Sequence, residues 1–411
     1  MKIKFNGGMN QIGGNSVIVS TPNTCLLLDA GIAVTGETRL IPDSNQINAI
    51  LLSHAHMDHY GQLSELPANV PVYCGEITWC LIQSSVLFNG KSLLKHQVNF
   101  IRPFQEFSIG DFSITAYPAD HSAPDAMAFL ISDRRNRIFY TGDFRGSGRK
   151  TNCFKHLIDN PPEKIDVLII EGTMLGRNDG KTLSERAVEK EMIECLNRYN
   201  NLPFFLTTSP QNIDRMVSCY RAAIQSGRIL ALDIYSAWIL RLFKLVSQAS
   251  KIPDLSWDKI KVIARGRTAG RHYGILKENP EFFGEFTREI YAPDNLLLLE
   301  DIAKDPCRYF IKTSYIEHIA EKCSFEEFGV IYSLWPGYIE ETPQLSALQA
   351  SPNVHFEKIH AGGHASLNEL RLLVQALKPA MTIPIHTEHA ELLADFTDNV
   401  QMAAPGAEIN L

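Results

Sequence analysis

The sequence predicts an α/β protein of two domains, and three observations carry that prediction. At 411 residues the chain exceeds one ordinary hydrophobic core. Its first third reads as short strands with tight glycine-containing turns, which suits two sheets packed face to face with helices outside. After about Asn200 the pattern changes to strand, helix, strand, a unit that favours a parallel sheet.

The strands of the first third are Lys2–Phe5, Ser16–Ser20, Cys25–Asp29, Ala49–Ser53, Val70–Cys74, Phe112–Tyr117, Met127–Ile131 and Arg137–Thr141. Each is rich in β-branched or aromatic residues and bounded by Gly, Pro, Asn or Asp. Ile165–Ile170 is a continuous apolar run, as a buried strand requires. Leu202–Thr207 and Ile229–Ile234 flank a helix marked by Met216, Cys219, Tyr220, Ala223 and Ile224, which Gly227 is placed to end. Ala237–Val246 reads as the next helix. In the tail, Val354–Ile359 and Met381–His386 read as strands, with a helix from a serine cap at Ser366 to Leu377 between them. Its stripe of Leu367, Leu370, Leu373, Val374 and Leu377 is core packing.

Composition narrows the class. Hydrophobic residues at 45% and charged residues at 21% describe a soluble globular chain. Met1–Asn10 has lysines but no apolar core behind them, and no apolar run reaches bilayer length. The expected location is the cytoplasm. Eight cysteines without close pairing read as buried thiols in a reducing compartment. A formal net charge of −7 argues against coating nucleic acid by bulk electrostatics. The basic groups Arg134, Arg135 and Arg137, and Arg145, Arg149 and Lys150, read as solvated surface clusters.

The decisive signal is Ser53-His54-Ala55-His56-Met57-Asp58-His59, directly after an apolar strand. Neutral imidazoles with a carboxylate oxygen are the donor set that zinc prefers. By accident such spacing should arise about once in a thousand chains this long, so chance is rejected. A dinuclear site needs further ligands, including a carboxylate able to bridge. His121, Asp143 and His386 each follow a strand and are the candidates.

The order HAHMDH, ADHS, TGDF and IPIHTEH resembles the metallo-β-lactamase superfamily. Leu168–Thr173, His360–Ala365 and Pro384–His389 resemble the motifs of the β-CASP nucleases, with RNase J and its relatives the nearest group. The likeness runs from Gly7-Gly8 and Gly13-Gly14-Asn15 to His386. It implies a metallo-β-lactamase αββα sandwich with an inserted α/β β-CASP cap domain. It also implies one metal held by His54, His56 and His121, a second by Asp58, His59 and His386, and Asp143 bridging them. His364, oriented by Glu171, would protonate the leaving oxygen, and Asp58 would orient the attacking water. The implied cofactors are two zinc ions; manganese or iron would suit the same ligands.

Site residues stop at Glu171 and resume at His360, so the intervening segment is an insertion. The expected parts are residues 1–198 and 351–411 for the first domain and 199–350 for the cap. Ser209, Asn212, Arg215, His360 and Gly363 are candidate contacts to a substrate phosphate, the first three where a strand meets a helix amino terminus. Helix capping by Ser209 or Asn212 is the competing reading. Gly362 stands where the resembling proteins usually have serine, and Thr387-Glu388 follows His386 in place of Gly-Glu. The chain ends about one helix after His386, so the separate carboxy-terminal domain of RNase J is expected to be missing.

The function this implies is metal-dependent hydrolysis of phosphodiester bonds in nucleic acid, by an RNase J-like ribonuclease acting as exonuclease, endonuclease or both. Its expected partner is single-stranded RNA and not a membrane; a homo-oligomer is compatible. A DNA-directed nuclease, or a small-molecule phosphodiesterase or ester hydrolase, is the alternative on the same metal pair. A non-catalytic scaffold subunit is the reading from another class, and the complete ligand set weighs against it.

Overall fold

A computed structural model of the chain describes residues 1–37, 46–177, 183–247, 251–264 and 267–411. They form two compact units. The first comprises 1–83, 92–182 and 363–411; the second comprises 84–91 and 183–362.

Two sheets make the first unit. In spatial order, one contains Glu408–Asn410, Lys2–Gly7, Ser16–Ser20, Cys25–Leu28, Ala49–Leu51, Val72–Cys74 and Val98–Phe100. The other contains Met381–Ile385, Val167–Glu171, Arg137–Tyr140, Met127–Ser132, Phe112–Pro118 and Glu106–Ile109. Alternate residues of both meet in one core: Ile3, Phe5, Val17, Val19, Leu26 and Leu28 against Ile114, Phe129, Ile131, Tyr140, Ile169 and Ile383. That is the face-to-face packing expected of period-two patterning. The opposite face of the second sheet presents Leu130, Phe139, Leu168 and Ile170 to Leu370, Leu373, Val374 and Leu377 of the helix Leu367–Leu377. The predicted α/β class and sandwich are therefore observed.

That helix begins as its sequence dictates. Ser366 Oγ accepts from the Glu369 amide at 3.3 Å, while Glu369 Oε2 accepts from the Ser366 amide at 2.8 Å, a reciprocal capping box. Replacing Ser366 with alanine is expected to cost about 1 kcal/mol of stability, read as a lower urea midpoint at unchanged slope. An unchanged midpoint would show that the cap contributes nothing.

The second unit holds a six-stranded sheet in the order Ile260–Val262, Ile229–Leu232, Tyr309–Lys312, Phe204–Thr207, Phe328–Tyr332, Val354–Lys358. Every neighbouring pair is parallel, as the strand–helix–strand pattern predicted. Phe204–Thr207, Ile229–Leu232, Tyr309–Lys312 and Phe328–Tyr332 are buried almost throughout, which explains their largely apolar character.

Two boundaries differ from the expected 198/199 and 350/351. The helix Glu185–Arg198 packs with the helix Ile213–Gln225, so it belongs to the second unit. The strand Val354–Lys358 pairs in parallel with Phe328–Tyr332, which carries residues 351–362 into that unit as well. A second correction concerns Arg145. It is fully buried, 3.4 Å from Asp120 Oδ1 through Nε, and its amide donates to the Asp120 carbonyl at 2.6 Å. It braces the interior instead of joining a solvated basic cluster. The eight cysteines are thiols, none joined to another. Among the described residues no helix is long and apolar enough to cross a membrane.

Candidate metal centre

Parallel strands set the site. Cys25–Leu28 runs beside Ala49–Leu51 in one sheet, and Arg137–Tyr140, Val167–Glu171 and Met381–Ile385 run side by side in the other. Leu28 lies opposite Leu51, and Glu171 opposite Ile385, so the carboxyl ends of neighbouring strands align. Asp29, the 53–59 loop, Asp143, Glu171 and His386 all sit at or just beyond those ends. Backbone leaving a buried strand is held rigidly, and polar side chains there converge without burying unpaired amides.

Two groups of side chains meet around one shared carboxylate. His54, His56, His121 and Asp143 bring one ligand atom each within 4.8 Å of one another, and so do Asp58, His59, Asp143 and His386. A third set, Asp143, Glu171, His364 and His386, overlaps both. Seven sequence-predicted ligands and two predicted catalytic residues are thus assembled in the first unit.

The ring nitrogens are aimed by fixed partners. His121 Nδ1 donates to the Gly363 carbonyl at 2.5 Å, leaving Nε2 to face His56 Nδ1 at 3.1 Å. His54 Nε2 also lies 3.1 Å from His56 Nδ1, and His54 Nδ1 is 3.0 Å from Ser53 Oγ. His59 Nδ1 donates to Asp29 Oδ2 at 2.7 Å and points Nε2 at Asp143 Oδ2, 3.2 Å away. His386 Nε2 approaches Asp58 Oδ2 at 2.9 Å. His386 holds a left-handed backbone, φ +55°, pinned by its amide bond to the Gly8 carbonyl at 2.6 Å. A non-glycine residue persists there only when its surroundings over-determine it.

Asp29 escaped the sequence reading. It accepts from the Ser53 amide at 2.7 Å, Ser53 Oγ at 2.8 Å, Tyr140 Oη at 2.5 Å and His59. A carboxylate behind a ligating imidazole fixes its tautomer and raises its basicity. The available signal was an aspartate ending an apolar strand next to the strand that feeds the histidine loop.

Electrostatics separate the two groups. Burial, reinforced by neighbouring imidazoles, holds His54 and His121 well below the ordinary histidine value. Burial likewise lowers His56 to about 4, outweighing the Asp58 and Asp143 carboxylates. These rings are neutral at pH 7, the form that can ligate a cation. His59 behaves oppositely: burial opposes its charge, yet Asp143, Asp29 and Asp58 hold it well above the usual value. Asp143 is held well below the carboxylate range by His386, His59 and His364 against the effect of burial.

The residues fit a metal. Both oxygens of Asp143 are buried and accept no well-formed hydrogen bond, although His59 Nε2 is near. An orphaned buried carboxylate is costly, and one encircled by imidazole nitrogens is the donor set that cations satisfy.

Glu171 and His364 lie alongside. Glu171 Oε2 is 3.2 Å from His364 Nδ1, while Oε1 accepts from the Phe144 and Ala365 amides at 3.0 and 3.3 Å. Burial would lower His364, but Glu171 first and Asp143 next raise it to about 9. Its side chain is 24% exposed, so the ring reaches solvent while its partner does not.

The candidate phosphate contacts fall otherwise. Arg215 is buried in the second unit, donating to Glu185 through Nε at 3.1 Å and Nη2 at 2.9 Å, and to the Ser333 and Ala361 carbonyls. Its guanidinium is committed to protein partners, so the phosphate assignment is corrected. Asn212 Oδ1 caps the helix by accepting from the Arg215 amide at 3.1 Å, and Ser209 Oγ accepts from the Gln211 amide at 3.3 Å. The capping reading holds for Asn212. His360 Nδ1 accepts from Arg215 Nη1 at 3.3 Å. Gly363 meets the metal centre through its carbonyl, on His121, and a Cβ there would approach Ser122 Oγ to 2.8 Å.

Residues 24–202 match the family model of the Beta-lactamase superfamily domain. That match covers less than half of the chain. Beyond the domain, the chain is similar to Ribonuclease J of Helicobacter pylori strain 26695, 23% identical, with 100% of this chain and 59% of the relative covered. Ribonuclease J of Thermus thermophilus is 26% identical over 93% of this chain and 67% of its own length. That of Sinorhizobium meliloti is 22% identical, covering 97% and 71%. These relatives bear out the resemblance read from the motifs. The chain spans 59% of the length of the Helicobacter relative. A crystal structure of a protein of unknown function from Enterococcus faecalis V583 superposes with a TM-score of 0.77 at 19% identity, covering 100% and 99% of the two chains, and so shares the fold.

Proposed function

We propose that this protein is a metal-dependent phosphodiester hydrolase that cleaves single-stranded RNA in the cytoplasm. One observation carries the reading: two groups of buried ligand atoms share the orphaned Asp143 carboxylate, with the His364–Glu171 pair beside them. Similarity to Ribonuclease J proteins supports RNA as substrate.

His54, His56 and His121 would hold one zinc ion and Asp58, His59 and His386 a second, with Asp143 between them. Such a pair lowers the pKa of a shared water and offsets charge on phosphoryl oxygens. Asp58, whose carboxyl is held low by His59 and His386 against burial, stays ionised and orients the attacking water. His364 keeps Nδ1–H on Glu171, which leaves Nε2 to give a proton to the departing ribose oxygen. Burial of Glu171 keeps that carboxylate from turning to solvent.

The test is cleavage of RNA and DNA strands labelled at either end, with and without chelator. Chelator-sensitive RNA cleavage is expected, and the two labels separate end-wise from internal cuts. Metal-independent cleavage, preference for DNA, or hydrolysis of small esters alone would overturn the reading.

A further inference from the structure

We infer that Thr173 is a positioning residue whose one hydroxyl fixes the tautomer of His386 and helps to orient the ring of His364. The inference rests on the proposed metal-dependent hydrolase. Thr173 lies two residues past the strand Val167–Glu171 and is buried. Its Oγ1 is 2.8 Å from His386 Nδ1, 3.1 Å from His364 Nδ1 and 3.3 Å from the His386 carbonyl.

Counting protons assigns the network. A hydroxyl has one donor and two acceptor sites, and a carbonyl can only accept. The hydroxyl proton therefore points at the His386 carbonyl, and two lone pairs remain for two Nδ1 atoms. His364 Nδ1 also faces the Glu171 carboxylate at 3.2 Å, another acceptor, so this nitrogen carries a proton. His386 Nε2 faces the acidic cluster, 2.9 Å from Asp58 and 3.7 Å from Asp143, and needs a bare lone pair to ligate. Its proton belongs on Nδ1, donated to Thr173.

Two other imidazoles show why the hydroxyl matters. His59 Nδ1 rests on Asp29 and His121 Nδ1 on the Gly363 carbonyl, acceptors set by other parts of the fold. For His386 that duty falls to Thr173. The residue thus joins one ligand of the second metal group to the proton donor. Without the hydroxyl, His386 can place its proton on Nε2, which blocks ligation, and its strained backbone loses a second anchor in the carbonyl bond. The segment Glu171-Gly172-Thr173 keeps hydroxyl and carboxylate together, because the Thr173 amide also donates to Glu171 Oε2 at 3.3 Å.

The experiment compares zinc binding by the full chain in the wild type, Thr173→Val and Thr173→Ser, by elemental analysis after equilibrium against buffered zinc. Thr173→Val is expected to weaken one of two equivalents by about 10–100-fold and leave the other unchanged. Thr173→Ser, which keeps the hydroxyl, restores both. In zinc-loaded, 15N-labelled protein, the Nδ1–H resonance of His386, assigned by its loss in His386→Gln, shifts in the valine variant and returns in the serine variant. If the valine variant does not fold, Thr173→Ala takes its place. Wild-type affinity for both equivalents in the hydroxyl-free variant overturns the inference and leaves the nuclease reading standing. Failure of the serine variant to restore binding overturns it too, because bulk and not the hydroxyl would then decide. A wild type that binds no metal removes the underlying reading and the inference together.

Discussion

Replacing Asp143 with alanine is expected to lower RNA cleavage by about 10³-fold or more and to leave fewer than two metal ions per chain. The magnitude follows from what is lost: several kcal/mol of transition-state charge stabilisation, at about 1.4 kcal/mol per factor of ten. The site makes Asp143 the critical member because it alone belongs to all three groups of converging ligand atoms. Removing His56 would thin one group; removing Asp143 thins every one. Gly142, at φ +54°, lets the chain deliver it, since a Cβ there would meet the Ser53 side chain at 2.8 Å. Metal content by elemental analysis and single-turnover rates on labelled RNA check the expectation together. Two bound ions and a rate within tenfold of the parent would sink the bridging role.

The second large effect lies in the inserted unit and concerns stability. Arg215→Ala is expected to destabilise that unit by about 3–5 kcal/mol, because the Glu185 carboxylate would be left buried without its cation. Glu185 accepts both guanidinium bonds and one from Ser218 Oγ at 3.2 Å, so no solvent-facing rearrangement rescues it. The double replacement Arg215→Met with Glu185→Leu should recover most of the loss, since both desolvated charges go at once. Urea denaturation of the three proteins decides it. A single variant within 1 kcal/mol of the parent would mean that water reaches the pair.

How much of this was legible in the residues depends on how local each signal is. The loop from His54 to His59 packs four candidate ligands into six positions, so sequence alone marks it. His121, Asp143 and His386 were readable because each ends an apolar run, and strand ends are where polar groups escape the core. Asp29 and Thr173 act on imidazoles 30 and 213 residues away; nothing nearby in the chain hints at the partner. Arg145 was misread for the same reason. Its neighbours Arg149 and Lys150 suggested a surface run, whereas Asp120, 25 residues earlier, drew the guanidinium inside. Arg215 stands at a helix amino terminus, where an arginine can turn outward to an anion or inward to Glu185, and local pattern does not choose. Among the strands that the sequence reading did not name, Val98–Phe100 and Glu408–Asn410 sit at sheet edges with little burial and so lack an apolar signature, whereas Tyr309–Lys312 and Phe328–Tyr332 are buried and were missed despite theirs. The junctions of the inserted unit slipped because Val354–Lys358 is half-buried throughout and its sheet membership depends on pairing.

The place of Leu183–Gly362 within the chain has a consequence for synthesis. A ribosome that has reached Gly362 has already made His54, His56, Asp58, His59, His121, Asp143 and Glu171, but neither His364 nor His386. The growing polypeptide therefore lacks His386, a member of two of the three converging groups, and His364, the proposed proton donor, until residues beyond Gly362 emerge. On the proposed reading, the site is therefore completed only by the residues that follow the inserted unit.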